Sequence, residues 1–187
     1  MPARLYLLCQ GATRATRLAA FPADEPLEDA ARVAASVAAR RWPRVDAVVT
    51  SPARAARETA EALGLVHDLE PALGEVDYGA WAGRRFADVA ATEPGALAAW
   101  LEDPEARPGG GGESLEELDA RIGRWLDTRL ASDGRMLAVT HGVVMRAVVV
   151  HILNAPLRAA RSVDVQPLQM LEIGSNGRRW TIRQLSS

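Results

Sequence analysis

The stretch Val45-Asp46-Ala47-Val48-Val49-Thr50-Ser51-Pro52, running on through an alanine-rich segment to Gly64, decides how this chain folds. Val45 to Thr50 is a short apolar run of the kind that forms a strand covered on both faces. Pro52 interrupts it, and Gly64 ends the alanine-rich segment as a helix terminator. A buried strand passing through a short loop into a helix is the repeating unit of an α/β sheet.

The same reading extends outward in both directions. Leu5-Tyr6-Leu7-Leu8 is a second short apolar strand, and Met136 to Thr140 a third, entered through Asp133-Gly134. From Leu27 to about Arg41 the residues Leu27, Ala30, Ala31, Ala34, Val37 and Ala38 recur at helical spacing, and Pro43 ends that helix. The segment from Val143 to Leu153 is rich in valine, which favours strand. Its length and the stop at Asn154-Ala155-Pro156 favour a buried helix. Leu168 to Ile173 and Trp180 to Leu185 flank Asn176-Gly177, a hairpin signal. Residues 84–108 lack a clean strand and carry Pro94, Pro104 and Pro108, so they read as a small, partly helical cap. The expected architecture is a three-layer α/β/α sandwich around a mostly parallel mixed sheet with antiparallel edge strands. Residues 1–187 form one domain, with 84–108 as a cap insertion.

Composition bounds the function. With 187 residues, 48% hydrophobic and 25% charged, the chain is an ordinary globular domain. A formal net charge of −2 supplies no basic field for nucleic acid or for an anionic membrane. The longest apolar stretch is broken by Arg146 and His151, and the opening residues show no positive region followed by an apolar stretch, so no signal peptide is expected. The single cysteine, Cys9, excludes an internal disulfide and fits a reducing, cytoplasmic setting. His67, His141 and His151 show no metal-ligand spacing, so neither a metal nor another cofactor is expected.

Ligands of open α/β sheets bind beyond the carboxyl ends of the strands. Here those ends are Cys9-Gln10-Gly11, Thr50-Ser51-Pro52-Ala53-Arg54 and Thr140-His141-Gly142. Each leads toward a helix, whose N-terminal N–H groups and partial positive charge suit a phosphate. Arg54 would add a bidentate fork, and His141 would face the same anion. Each feature alone is an ordinary surface or packing residue; their convergence at three strand ends is the signal. Pro108 to Gly112 contains four glycines but lacks the Lys-Ser/Thr ending of a nucleotide-binding loop, and Ser114-Leu115-Glu116-Glu117 reads as a helix capping box.

Five segments, in order, carry a family resemblance. They are Leu5 to Thr13 with Thr16; Ser51-Pro52-Ala53-Arg54 running to Thr59-Ala60; Glu75 ahead of Gly79-Ala80-Trp81-Ala82-Gly83; Gly112-Glu113-Ser114; and Val139-Thr140-His141-Gly142. Over nearly its whole length the chain resembles the histidine phosphatases, the superfamily that includes the cofactor-dependent phosphoglycerate mutases. In its short cap it is similar to the α-ribazole phosphatase branch. The resemblance implies a small phosphorylated metabolite as ligand and leaves a homodimer open. It implies Glu75 as the acid, with His141 beside the phosphate. Cys9, Gly11, Thr16, Arg54 and Gly142 are then expected around the phosphate.

The chain departs from the family at the reacting atom. The family's Arg-His-Gly is Cys9-Gln10-Gly11 here, so the nucleophile position is Gln10. An amide nitrogen, delocalised into its carbonyl, has no basic lone pair and cannot form a phosphohistidine-like intermediate. Loss of a covalent nucleophile costs about a millionfold in turnover in other enzymes. Three explanations are open: a natural pseudoenzyme with a retained binding site, an active phosphatase whose histidine was replaced, or a different nucleophile. A cysteine-phosphatase arrangement needs five residues between cysteine and arginine, whereas Cys9 and Arg14 enclose four. The chain is therefore expected to be a nearly inactive phosphomonoester phosphatase; the alternative is a ligand-sensing or partner-binding module built on the same pocket.

Overall fold

The computed structural model describes residues 3–39 and 42–186. In chain order its main elements are β1 (Arg4–Cys9), α1 (Arg14–Leu18), α2 (Asp29–Ala38), β2 (Ala47–Thr50), α3 (Arg54–Ala62) and β3 (Asp68–Leu69). There follow α4 (Phe86–Thr92), α5 (Pro94–Glu102), α6 (Leu115–Arg129), β4 (Arg135–Thr140), α7 (Gly142–Leu153), β5 (Met170–Ser175) and β6 (Trp180–Ser186). The strands form one sheet in the order β3-β2-β4-β1-β5-β6. Strands β3, β2, β4 and β1 run parallel, and β5 and β6 add antiparallel at one edge. This is the expected mixed α/β sheet of the phosphoglycerate mutase-like type.

The alternation of β1 explains the layering. Leu5, Leu7 and Cys9 point into one core with α6 and α7, while Tyr6 and Leu8 point into the other with α2 and α3. Both faces of the strand are buried, so the run reads as continuously apolar rather than alternating. Ala56 and Ala60, both at 0% exposure, let α3 lie close on the sheet. Valine-rich α7 is helical because it is buried between sheet and neighbouring helices, with Val144, Val148 and Val150 in the interior. Packing here overrides β propensity.

Sequence and structure differ at several edges. Strand β3 is two residues long and carries no periodicity, and it forms only because Val49 and Thr50 offer it a partner. The first strand of the hairpin begins at Met170 rather than Leu168, which adopts a left-handed backbone with φ 62°. The expected end of the second helix at Arg41 lies outside the described residues. The proposed cap contains α4 and α5, whose Phe86 and Trp100 close an aromatic cluster with Phe21, Tyr78 and Trp81. Two of the four glycines, Gly109 and Gly112, are packing devices, while Gly110 and Gly111 face open space. A Cβ on Gly109 would collide with Ala80 N and Tyr78 O, and one on Gly112 with Asp77 O. Their close approach, with Glu113 N–H donating to Asp77 O at 2.7 Å, fixes the chain just after Glu75.

Candidate active site

Register places three chain segments side by side at the carboxyl edge of the sheet. Cys9 pairs with Thr140, and Thr50 with Val139, so Gln10, Ser51 and His141 emerge together. They border a cavity of about 220 Å³. Its walls include Gln10, Glu75 and His141, together with Thr13, Asp24, Glu25, Ala53, Ala55, Asp77 and Tyr78. The three residues expected to carry chemistry are therefore brought to one place.

His141 is 2% exposed and held on two sides. Its Nε2 lies 2.7 Å from Ser51 Oγ, and its Nδ1 lies 3.2 Å from Glu75 Oε2. Ser51 Oγ also accepts the Ala53 N–H at 3.1 Å, which fixes the hydroxyl beside the imidazole. The Nδ1 contact is close enough for an ion pair, yet it is out of line for a hydrogen bond. Nδ1 is thus buried without a hydrogen-bonding partner. Order of contacts resembles a serine–histidine–carboxylate relay, but Ser51 is fully buried and does not border the cavity. Its hydroxyl orients the imidazole instead of attacking a substrate.

Glu75 is aimed by its surroundings. Arg121 reaches across from α6 and donates to the carbonyls of Ala72 at 2.6 Å and Gly74 at 3.1 Å, while its other donors grip Glu113 at 2.7 and 2.8 Å. Thr140 Oγ1 donates to Leu73 O at 2.8 Å. The loop that presents Glu75 is thereby tied both to a helix and to β4. Arg121 was not legible as a site residue, and Ser51 was legible only as part of a strand-end motif and not in its role, because both act through a neighbour distant in the chain.

The expected phosphate-binding set is not assembled. Cys9 points into the core, and its thiol is pushed up to about 12 by burial and by the charge of Glu75, against the pull of Arg146. Gly11 is buried against Leu27 and Ala31, and its N–H is taken by Thr59 Oγ1 at 3.0 Å. Thr16 caps α1 reciprocally with Thr13. Gly142 opens α7 beside Val165.

Arg54 is the main correction. Its guanidinium is half exposed and pairs with Glu58 Oε1 at 2.8 Å, one turn along α3. The residue of that turn that borders the cavity is Ala55. Asp24, at a left-handed φ of 56°, accepts the Arg54 backbone N–H at 2.6 Å, so a protein carboxylate sits on the helix N-terminus where an anion was expected. Arg17 is held by Glu28 at 2.7 Å, and Arg14 faces a different groove beside Arg85 and Asp88. The cavity wall holds Asp24, Glu25, Glu75 and Asp77, and no arginine or lysine among the described residues.

Cys9 lies in the core and does not border the cavity, and burial raises its thiol, so it is not placed as an attacking thiolate. Gln10 Oε1 is buried and makes no hydrogen bond, the second such atom bordering the cavity after His141 Nδ1. Among the described residues no group of three or more His, Cys, Asp or Glu side chains is placed to hold a metal ion, and no helix is long and apolar enough to cross a membrane. Trp81 is buried and donates from Nε1 to Glu93 at 2.9 Å, whereas Trp100 borders a second cavity beyond Tyr78.

Comparison with known proteins bears on the family and the fold. The chain is 33% identical over 138 residues to glucosyl-3-phosphoglycerate phosphatase of Mycobacterium tuberculosis, an alignment covering 66% of this chain and 60% of that protein. It is 36% identical over 114 residues to bifunctional protein Rv2228c of the same organism, covering 58% of this chain and 31% of that protein. The chain thus spans less than two thirds of the length of these two relatives. The solved structure of mycobacterial glucosyl-3-phosphoglycerate phosphatase with VO3 superposes with a TM-score of 0.82 at 27% identity, over 96% of both chains. The α-ribazole phosphatase of Shigella flexneri shares the fold, with a TM-score of 0.85 at 23% identity over 98% of this chain and 96% of that one. The family model described as "Histidine phosphatase superfamily (branch 1)" matches residues 5–187. The sheet order, the converging strand ends and this near-complete match place the chain in the histidine phosphatase superfamily, branch 1.

Proposed function

We propose that this chain is a pseudoenzyme of its family, a module that binds a small ligand at the carboxyl edge of the sheet without hydrolysing phosphate esters. One observation carries the reading: the cavity combines Gln10 at the attacking position with four carboxylates and no arginine or lysine. Phosphoryl transfer spreads negative charge over the equatorial oxygens, and it needs fixed positive charge around them. His141 is the one side chain of this wall able to carry positive charge, and Glu75 stands beside it.

What the cavity retains is hydrogen bonding. Gln10 Oε1 and His141 Nδ1 are buried without a hydrogen-bond partner, Nδ1 keeping only its off-line contact with Glu75, and a buried polar atom left unsatisfied costs about 1–3 kcal/mol. A ligand that satisfies both regains that energy on binding. The acidic wall favours a ligand that is neutral or cationic where it meets these atoms. A small phosphorylated metabolite would therefore bind with its phosphate elsewhere.

The test is hydrolysis of p-nitrophenyl phosphate by the chain as it stands and by Gln10→His. Both are expected at background, because restoring an imidazole at position 10 does not restore the missing counter-charge. Robust turnover by the unmodified chain would sink the proposal. So would full activity from Gln10→His alone, which would mean an enzyme disabled at a single position.

A further inference from the structure

Beyond Tyr78 lies a second cavity, of about 100 Å³, and its electrostatics are opposite to those of the first. Val76 and Tyr78 form part of the wall of both. The second is bounded by apolar Val143, Leu115 and Leu118, by Trp100, and by two arginines, Arg146 from α7 and Arg161. We propose that this cavity is an oxyanion-binding site, in which Arg146 and Arg161 hold the carboxylate or phosphate head of a small organic ligand while Trp100 and the apolar wall receive its body.

The arginines lack the partners that would make them structural. Arg146 Nε is buried and makes no hydrogen bond. Arg161 donates to the Trp100 carbonyl at 2.5 Å, and its guanidinium lies over the Trp100 ring, 4.6 Å from the centroid. Stacking of this kind orients a guanidinium and leaves its remaining donors free. Among the described residues neither arginine forms an ion pair with a carboxylate. Glu113, the carboxylate on this wall, is engaged by Arg121 through both oxygens.

Two guanidinium groups facing one cavity repel each other unless an anion lies between them. Burial, and then the like charge of Arg146 against the opposing effect of Tyr78, holds the Arg161 guanidinium below its usual range. Burial and the charge of Glu75 push the Tyr78 hydroxyl well up, while both arginines pull it back. Tyr78 is therefore a neutral phenol, able to donate to an oxyanion. An unpaired, partly desolvated guanidinium pair beside a phenol donor matches the geometry and charge of a carboxylate or phosphate head. A volume of about 100 Å³ admits such a head.

The experiment titrates the full chain with inorganic phosphate and, separately, with benzoate, following the Arg146 Nε–H resonance by NMR. Saturable movement of that resonance with at least one probe is expected; the probe that acts distinguishes a phosphate head from a carboxylate with an apolar body. Arg146→Met and Arg161→Met should each weaken the binding about tenfold or more, the loss of a charged hydrogen bond. Arg54→Ala removes one positive charge far from the cavity and should leave it unchanged. Arg146→Lys keeps a cation at the buried position, guards against misfolding of the methionine variant, and should bind measurably more weakly than arginine. No saturable response to either probe, or binding undiminished in Arg146→Lys and Arg161→Met, would overturn the proposal.

Discussion

Arg54 and Ala55 differ by one step along the chain, and that step turns a side chain by about 100° around a helix axis. Arg54 consequently faces solvent and Glu58, while Ala55 faces the cavity. Arg54→Ala should leave ligand binding at the strand ends unaltered, since its guanidinium does not border that space. Ala55→Arg should place a guanidinium in the acidic wall and raise affinity for inorganic phosphate about tenfold or more, measured by titration calorimetry. A residue-scale argument also applies to Cys9. With its thiol pushed up to about 12 and its side chain in the core, the native protein should resist a disulfide-forming thiol reagent in mildly alkaline buffer. Labelling should reach one equivalent only when the chain is unfolded, followed by absorbance of the released thiol.

At the scale of elements, the site is assembled by loops that carboxylates pin together. Glu25 accepts from Thr13 Oγ1 at 2.7 Å, from Ala23 N at 2.8 Å and from Ala15 N at 3.3 Å, joining the start of α1 to the loop before α2. Burial raises its pKa, but these hydrogen bonds outweigh burial and hold the carboxyl below the usual glutamate range. Glu58 behaves alike: burial is outweighed by Arg54, by the Leu27 N–H and by Arg32. A carboxyl whose folded pKa is depressed stabilises the fold above its unfolded pKa, and this stability is lost as pH falls through the folded value. Stability should therefore be level near neutrality and decline on acidification below the ordinary glutamate range. Glu25→Gln should flatten part of that decline, read from urea unfolding midpoints across a pH series.

Across the whole molecule, stability comes from two apolar cores separated by the sheet. Leu7 is 0% exposed on β1, between β4 and β5, and Leu7→Ala should cost about 2–5 kcal/mol. Exposed Val33, at 62% accessible, should tolerate alanine within about 0.5 kcal/mol, measured in the same urea series. The division of labour between the cavities also belongs to this scale. The acidic cavity lies between β1, α3 and the Glu75 loop, the basic one between α5, α6 and α7, with Tyr78 bordering both.

Local chemistry in the chain specified the strand–loop–helix repeats, the Asn176-Gly177 hairpin with Asn176 Oδ1 accepting two backbone N–H groups, the Ser114–Glu117 capping box, and the placing of Gln10 and His141 at neighbouring strand ends, while Glu75 was reached only through the family resemblance. Those features rest on short-range steric and hydrogen-bonding rules, or on residue types that recur at strand ends, and both are written in order along the chain. Which side of α3 meets the cavity, whether Arg54 is free or held by Glu58, where Asp24 and Arg121 reach, and why Arg146 and Arg161 border one cavity were decided only by the tertiary structure. Each depends on the angle at which one element is set against another, and that angle comes from packing among residues many tens of positions apart.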